Sequence, residues 1–227
     1  MTVSWMTRVR QRRLAAIAIV AAIVIWRPAS AGAQEETPRI GPVVLDLHGA
    51  MFKPPGSDQL AASRGLDSLA ELPGIGFGAT AGIHVYPLRW RAITFGLGGE
   101  FAVARAHSGP TLLATGTTGS GVTERFVAGA PELSFNFRGS NGWSYISGGI
   151  GLTVWQVVPD GQEVGDADLE RLRTVNYGGG ARWFVKKHLA FSLDVRIWQV
   201  DPGTPHLTFP GSPRANILLM AAGISVK

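Results

Sequence analysis

Apolar side chains alternate with small or polar ones over long stretches of this chain. Between Ile75 and Val85 every second residue is apolar, and the residues between them are glycine, threonine or histidine. Side chains on a β-strand point alternately to its two faces, so each such segment has one apolar wall and one polar wall. The pattern predicts an all-β protein.

The same alternation recurs in eight segments, and long connectors take turns with short ones between them. This is the topology of an up-and-down barrel with long extracellular loops and short periplasmic turns. An even number of strands lets the first pair with the last and close the sheet. The sequence therefore predicts an eight-stranded antiparallel up-and-down transmembrane β-barrel. The predicted strands are Val43–Phe52, Gly74–Tyr86, Ala92–Ala106, Thr123–Phe137, Trp143–Val157, Arg171–Val185, Leu189–Gln199 and Ala215–Val226.

The segment Leu60–Leu72 is predicted to be an ordered part of the first long loop, with a short helix as the alternative.

The polar walls of four predicted strands carry ionisable side chains. An arginine that faces lipid near the bilayer midplane costs about 2–4 kcal/mol. Buried charges persist when they are paired and hydrogen-bonded, so we expect these side chains to meet inside the barrel as a salt-bridge network. Glycines share that wall, and an eight-stranded barrel is just wide enough for side chains to fill. The predicted interior is polar and plugged. The predicted network consists of Glu100, Glu132, Arg182, Asp194 and Arg196.

Aromatic residues gather near the three short turns. Amphipathic rings at headgroup level form girdles around such barrels, so the sequence predicts a periplasmic girdle there. Its predicted members are Tyr86, Trp90, Phe137, Trp143 and Trp183. A second girdle is predicted at the loop end from Phe52, Phe101, Phe126 and Trp155. The alternation of its strand places Phe101 on the outer face. The other three lie on the inner face and need a β-bulge to turn outward.

The amino terminus has the layout of a secretory signal peptide. A basic stretch up to Arg13 precedes an apolar run, Leu14–Trp26, and small residues at Ala31 and Ala33 offer a cleavage site before Gln34. The run is shorter than the roughly 20 residues that a membrane-spanning helix needs. An uncleaved anchor is the alternative. The predicted organisation is a signal peptide at 1–33, a lead-in at 34–41 and the barrel at 42–227.

Charge and cysteine content exclude several functions. The chain has 21 Lys+Arg and 16 Asp+Glu, and its first 33 residues hold five arginines and no acid. Subtracting 5 from 21 leaves 16 basic against 16 acidic residues, so the mature chain is neutral and nothing basic argues for nucleic acid binding. Without cysteine there is no disulfide, thiolate metal site or cysteine nucleophile. No cofactor or metal site is predicted.

Several stretches resemble the small bacterial outer-membrane β-barrel proteins, of the OmpA and OmpX type. They are Gly74–Gly78 leading into Tyr86–Trp90, Gly148–Gly151, and Asn176–Gly180 leading into Asp194–Arg196. The resemblance implies a monomer in the outer membrane of a Gram-negative bacterium, with membrane lipids as its surroundings. Members of this family include membrane anchors, adhesins, stress-resistance proteins and occasional lipid-modifying enzymes. Such barrels usually end in an aromatic residue, whereas this chain ends in Val226-Lys227.

Catalytic patterns are weak. His48 and His84 are predicted to point inward beside Asp46, with no obvious serine partner, and His107-Ser108 is the only adjacent histidine–serine pair. The His-x-Ser motif of small deacylating barrels is absent. The sequence therefore predicts a structural or surface-interaction role without enzymatic activity, with a possible extracellular ligand at the four long loops. A narrow pore, a lipid-binding barrel, a lipid hydrolase and a soluble lipocalin-like barrel are the alternatives.

Overall fold

The computed structural model describes residues 40–138, 142–205 and 211–227. The predicted signal peptide, most of the lead-in and the residues Gly139–Asn141 of the second short turn lie outside these ranges. Eight antiparallel strands form a closed barrel in chain order, so the predicted fold is confirmed. The strands are β1 Val43–Lys53, β2 Gly76–Trp90, β3 Ile93–Ser108, β4 Val122–Arg138, β5 Gly142–Pro159, β6 Leu172–Phe184, β7 Leu189–Val200 and β8 Ala215–Val226.

The barrel closes between its first and last strands. β1 pairs with β8 in a regular antiparallel register that places Gly49 opposite Ala222. Each strand thus has a hydrogen-bonded neighbour on both sides, and the sheet has no open edge. This suits a bilayer, because lipid tails cannot hydrogen-bond to unpaired backbone groups.

The first short turn is shorter than predicted. β2 continues through Pro87 to Trp90, and its register against β3 shifts between Val85 and Leu88. Proline has no backbone N–H to donate to the ladder, so within a sheet it is confined to bulges and edges. The connector is therefore only Arg91 and Ala92, with Arg91 at φ 53°.

The strand alternation divides an apolar outer wall from the interior. Leu47, Phe77 and Leu133 are 59%, 73% and 58% exposed on the outside, in line with many other large apolar side chains. Neighbouring residues of opposite parity, such as His48, Gly78 and Glu132, point into the barrel. An outer wall rich in large apolar side chains around an interior that holds buried charges matches a lipid environment.

Two short α-helices and one 3₁₀-helix lie in the described parts of the long loops. Helix α1, Asp58–Ser63, begins at Ser57, whose Oγ accepts a hydrogen bond from the Leu60 amide (3.1 Å). A 3₁₀-helix follows at Leu69–Glu71, and helix α2 spans Asp166–Leu169 in the third long loop. None of the helices in the described ranges is long and apolar enough to cross a membrane.

Candidate functional site

The centre of the barrel holds a buried ion-pair network around Arg196. Its guanidinium lies 2.7 Å from Glu132 Oε1, 3.1 Å from Glu100 Oε2 and 3.3 Å from Asp194 Oδ1. It also donates to Ser147 Oγ (2.9 Å). Four of the five residues that the sequence analysis grouped into a network are thus in direct contact.

The fifth, Arg182, has a partner of its own. Its Nε and Nη2 donate to the two carboxylate oxygens of Asp46, at 2.9 and 2.7 Å. Tyr145 joins the two arginine clusters, because its hydroxyl donates to Asp194 Oδ2 (2.7 Å) while the Arg182 guanidinium lies over its ring, 4.1 Å from the centroid. The position of Asp46 in the alternation of β1 predicts that its side chain points inward. Its pairing with Arg182 on β6 could not be predicted, because the two strands face each other only in the closed barrel.

Carboxylates outnumber guanidiniums in this network. Asp46, Glu100, Glu132 and Asp194 face two arginines, and His84 stands between two of the acids. His84 Nδ1 lies 3.5 Å from Asp46 Oδ2 and its Nε2 lies 3.7 Å from Glu132 Oε2. The network spans the barrel interior from β1 to β7.

Glycines on the inward face leave the room that these side chains occupy. A Cβ atom on Gly98 would collide with the His84 ring and the Ile83 carbonyl, and one on Gly180 would lie 2.7 Å from Tyr145 Oη. Each of these glycines therefore leaves space for a large side chain on a neighbouring strand.

The loop end of the interior is apolar, which the sequence analysis did not predict. Phe52, Phe126 and Trp155 are at most 1% exposed and point inward, so the prediction that they form an outer girdle is wrong. Phe52 and Phe126 stack with their centroids 5.7 Å apart. The alternation of exposed and buried residues is regular around these three positions in β1, β4 and β5, so no bulge turns them outward. Phe101 does face outward.

The long loops close over this apolar layer. Leu60 and Ala61 of α1 pack into it from above and are fully buried. Arg64, which follows α1, contacts Asp168 Oδ1 of the third loop (3.0 Å) and donates to Ser212 Oγ of the fourth (2.7 Å). We name the segments 54–75, 109–121, 160–171 and the described part of 201–214 the loop lid.

Two glutamates add further contacts within the loop lid. Glu71 is 2% exposed, and its Oε2 accepts a hydrogen bond from the Ser120 amide of the second loop (2.8 Å). Its Oε1 accepts from the Asp67 and Ser68 amides, which completes a capping box on the 3₁₀-helix. Glu170 accepts from the amide and hydroxyl of Thr204. Ser68-x-x-Glu71 is a capping-box signal that can be seen in the sequence.

The predicted periplasmic girdle divides into two sets. Trp90, Phe137 and Trp183 face outward, 60%, 37% and 42% exposed. Trp143 is buried inside the barrel, and the partly buried Tyr86 packs against the same cluster, so their prediction as girdle residues is wrong. Both follow the inward parity of their strands, which proximity to a turn does not override.

A serine–histidine pair lies inside the barrel. His48 Nε2 is 2.7 Å from Ser192 Oγ, and its Nδ1 is 3.2 Å from Thr80 Oγ1. His48 thus has the serine partner that the sequence did not reveal. Both residues are buried, and no carboxylate hydrogen-bonds to His48 in the part of the chain that the structure describes. At the loop end, His107 contacts Thr123 and Ser108 donates to the Glu71 carbonyl, so each of these neighbours has a partner other than the other.

The short-turn end carries basic residues beside aromatic rings. Lys227 Nζ lies 4.2 Å from the Phe184 ring centroid, and its amide donates to the His188 carbonyl (3.0 Å). Burial, and then the charge of Lys187, lower the pKa of Lys227 from its ordinary value. Arg91 lies over the Trp90 ring, 5.8 Å from its centroid.

No group of three or more potential metal ligands is arranged to hold an ion within residues 40–138, 142–205 and 211–227. Two acids of the acidic third loop already have protein partners: Asp168 contacts Arg64, and Glu170 contacts Thr204.

A closed eight-stranded barrel with an apolar outer surface and a buried ionic interior defines an outer-membrane β-barrel protein. Solved structures with this fold are similar to the chain. Neisserial surface protein A (NspA) matches at 11% identity with a TM-score of 0.54, over 82% of this chain and 97% of that one. At this identity the likeness shows the fold alone.

Two further outer-membrane proteins are similar at lower scores. Ail, the attachment invasion locus protein of Yersinia pestis, matches at 14% identity and a TM-score of 0.44, over 81% of this chain and 95% of that one. OprG from Pseudomonas aeruginosa matches at 10% identity and a TM-score of 0.45, over 81% and 94%. No family model matches the chain, and no curated protein matches its sequence.

Proposed function

We propose that this protein is a plugged outer-membrane barrel that presents its four long loops at the cell surface as a binding platform, without catalysis or conduction. The observation that carries the proposal is the loop lid. Arg64, buried among three loops, and Glu71, buried between two, give the loops a fixed shape above a filled interior. Loops held by a rigid scaffold are a common location for binding sites.

Exposed apolar side chains on the lid support a binding role. Leu112 in the second loop is 74% exposed, and Leu69 and Leu169 in the first and third are 46% and 57% exposed. These side chains gain free energy when a partner removes them from water, at about 25 cal/mol per Å² of apolar surface.

Surface display can be tested with single cysteines, because the native chain has none. Ala114→Cys places a thiol in the second loop and Lys187→Cys places one in the third short turn. A membrane-impermeant maleimide applied to intact cells should label the loop thiol and spare the turn thiol, while both should react after lysis. Labelling of the turn thiol alone on intact cells would contradict the proposed orientation.

Conduction is tested in planar bilayers. The ion-pair network and the apolar layer fill the interior, so we expect no stepwise ion current from the reconstituted protein. Stable single-channel conductance would instead support the narrow-pore alternative.

A lipid-binding barrel is a second candidate, favoured by a groove on the outer wall. It has a volume of about 480 Å³ and is lined mainly by apolar residues, with Gly49 and Ala222 among them and Met51, Phe77 and Met220 around them. A Cβ on Gly49 would meet no atom within 4 Å. A lipid that co-purifies with the native protein and is lost from Gly49→Leu would support this candidate, whereas equal lipid content would contradict it.

A further inference from the structure

Two arginines stand side by side on the outer wall of the barrel, in its loop half. Arg105 on β3 and Arg125 on β4 are direct partners in the register of these strands, and both are exposed. We name these two residues the arginine pair. Directly opposed side chains have Cβ atoms about 4.5–5.5 Å apart, and like charges in such positions destabilise a sheet. An anion bound between the two guanidinium groups removes that repulsion.

The arginine pair lies at the loop-side border of the apolar outer wall. Below it, the outward positions of residues 93–103 in β3 and 127–137 in β4 are apolar or glycine. Ten residues rise by about 33 Å along a strand. A strand tilt of about 40° turns this rise into about 25 Å across the membrane, which is the height of the apolar band of such barrels. The arginine pair is therefore at the level of the lipid headgroups.

The acids of the eight strands all lie on the inner wall, away from the arginine pair. They are Asp46, Glu100, Glu124, Glu132 and Asp194. On the water side, Asp160 begins the third loop, and its amide donates to the Gly121 carbonyl (2.8 Å). Neither arginine forms an ion pair with a carboxylate of the described residues.

The sequence outside the described ranges adds no acid next to the strands of the arginine pair. Its acids are Glu35 and Glu36, and both come shortly before Ile40. The Ile40 carbonyl accepts a hydrogen bond from Arg89 at the short-turn end, which is the opposite end of the barrel. Residues 206–210 of the fourth loop contain no acid.

Neighbouring side chains add hydrogen-bond donors around the arginine pair. Gln156 on β5 is the register partner of Arg125 and is half-buried on the same wall. One position nearer the loops, His107 faces Thr123, with Nδ1 3.1 Å from Oγ1. Arginine binds phosphate through two parallel N–H···O bonds. A phosphomonoester carries a charge of about −1.5 to −2 at pH 7, so two guanidinium groups match it.

From this juxtaposition we infer that the arginine pair binds a lipid whose headgroup carries a phosphomonoester, in the leaflet on the loop side of the membrane. The phosphate is held between the two guanidinium groups, with the Gln156 amide beside them. The acyl chains lie along Val103 and Val127, which are 37% and 41% exposed directly below. This site is separate from any ligand of the loop lid.

Native mass spectrometry from detergent micelles tests the site, because it counts the bound lipids and gives a Kd for each. The protein is purified from membranes after expression of the full chain. It is titrated separately with phosphatidic acid, a phosphomonoester, with phosphatidylglycerol, a phosphodiester, and with zwitterionic phosphatidylcholine. The first phosphatidic acid should bind at least about tenfold more tightly than phosphatidylcholine, because hydrogen bonds to charged groups are the stronger ones. Phosphatidylglycerol should lie between the two.

Two double variants with the same change in charge form the matched pair. Arg105→Gln/Arg125→Gln removes the arginine pair. Lys53→Gln/Arg173→Gln removes two cations that are exposed at the ends of β1 and β6 nearest the loops, where their register partners are the apolar Leu218 and Leu152. A differing mobility of boiled and unboiled samples on a denaturing gel verifies that each variant is folded.

The preference for phosphatidic acid should disappear in Arg105→Gln/Arg125→Gln and persist in Lys53→Gln/Arg173→Gln. It should be reduced in Arg105→Lys/Arg125→Lys, because lysine keeps the charge but lacks the planar fork that binds phosphate through two bonds. Equal affinity of the native protein for phosphatidic acid and phosphatidylcholine would overturn the inference. So would an equal loss of preference in the two glutamine variants, or displacement of the lipid by an equimolar amount of inorganic phosphate.

Discussion

Arg196 is the residue on which most of the interior charge converges. Its guanidinium contacts three carboxylates, and its side chain is 1% exposed. Removing one partner from a buried pair costs about 3–5 kcal/mol, because the remaining charges stay buried without compensation. We therefore expect Arg196→Met to lower the free energy of unfolding by about that amount in urea titrations in detergent micelles, followed by tryptophan fluorescence.

The control is an exposed ion pair on the same barrel. Arg214 Nη2 lies 3.7 Å from Asp201 Oδ1, and their side chains are 64% and 44% exposed. Such pairs contribute at most about 1 kcal/mol. Arg214→Met should therefore change the unfolding midpoint little. Equal loss of stability in the two variants would show that the Arg196 contacts have no special role.

Gly98 and Gly49 form a second matched pair at this scale. A methyl group on Gly98 would overlap with the His84 ring and the Ile83 carbonyl, whereas one on Gly49 would lie in open space on the outer wall. Overpacking costs about 1–3 kcal/mol. In the same urea titrations Gly98→Ala should lose stability in that range and Gly49→Ala should stay near the native value. The opposite order would contradict the inward placement of Gly98.

At the scale of elements, strand alternation accounts for most of what the sequence predicted. All eight strands, and the inward direction of Glu100, Glu132, Arg182, Asp194 and Arg196, follow from parity. The predictions that fail are those in which another signal competes with parity. Tyr86 and Trp143 lie near turns, where girdle residues are expected, but the parity of their strands directs them inward. Phe52, Phe126 and Trp155 also follow parity and form an apolar layer inside the barrel.

Contacts between loops could not be predicted from the sequence, for a different reason. Arg64 and Ser212 are separated by 148 residues and meet only because the closed barrel gathers its loops at one end. The capping box at Ser68 and Glu71 is local and could be found, but the contact of Glu71 with Ser120 in the next loop could not. Periodicity describes faces of strands, and it does not specify which loops touch.

The loop lid yields a prediction at this scale. Arg64 joins three loops, so Arg64→Met should loosen them while the strands stay paired, because local opening needs less free energy than global unfolding. Proteinase K should cleave the loops of this variant faster than those of the native protein. Arg171→Met is the control, since Arg171 is exposed in the third loop. Cleavage at the native rate in Arg64→Met would refute the role of Arg64.

At the scale of the whole molecule, closure depends on the pairing of β1 with β8. Gly49 and Ala222 are partners across this seam and both lie on the outer wall. Opposed residues in antiparallel strands have Cα atoms about 4.5–5.5 Å apart, within the range for a disulfide. The double variant Gly49→Cys/Ala222→Cys should therefore form an intramolecular disulfide under mild oxidation, detected as a shifted band on a non-reducing gel.

The register of this seam supplies the control. Ile224 also faces outward on β8, but its partner on β1 is Leu47, two residues away from Gly49. The pair Gly49→Cys/Ile224→Cys should cross-link much less. Comparable yields from both pairs would indicate a loose or open seam and would contradict the closed barrel.

The central claim is that apolar side chains face lipid while charged ones fill the inside of a closed barrel. Its most direct test is membrane fractionation of cells that express the full chain, followed by a denaturing gel with boiled and unboiled samples. We predict that the protein is in the outer membrane and that its unboiled band migrates differently from its boiled band, because the closed barrel resists detergent until heated. A protein that is soluble in the periplasm, with one mobility in both samples, would contradict the account.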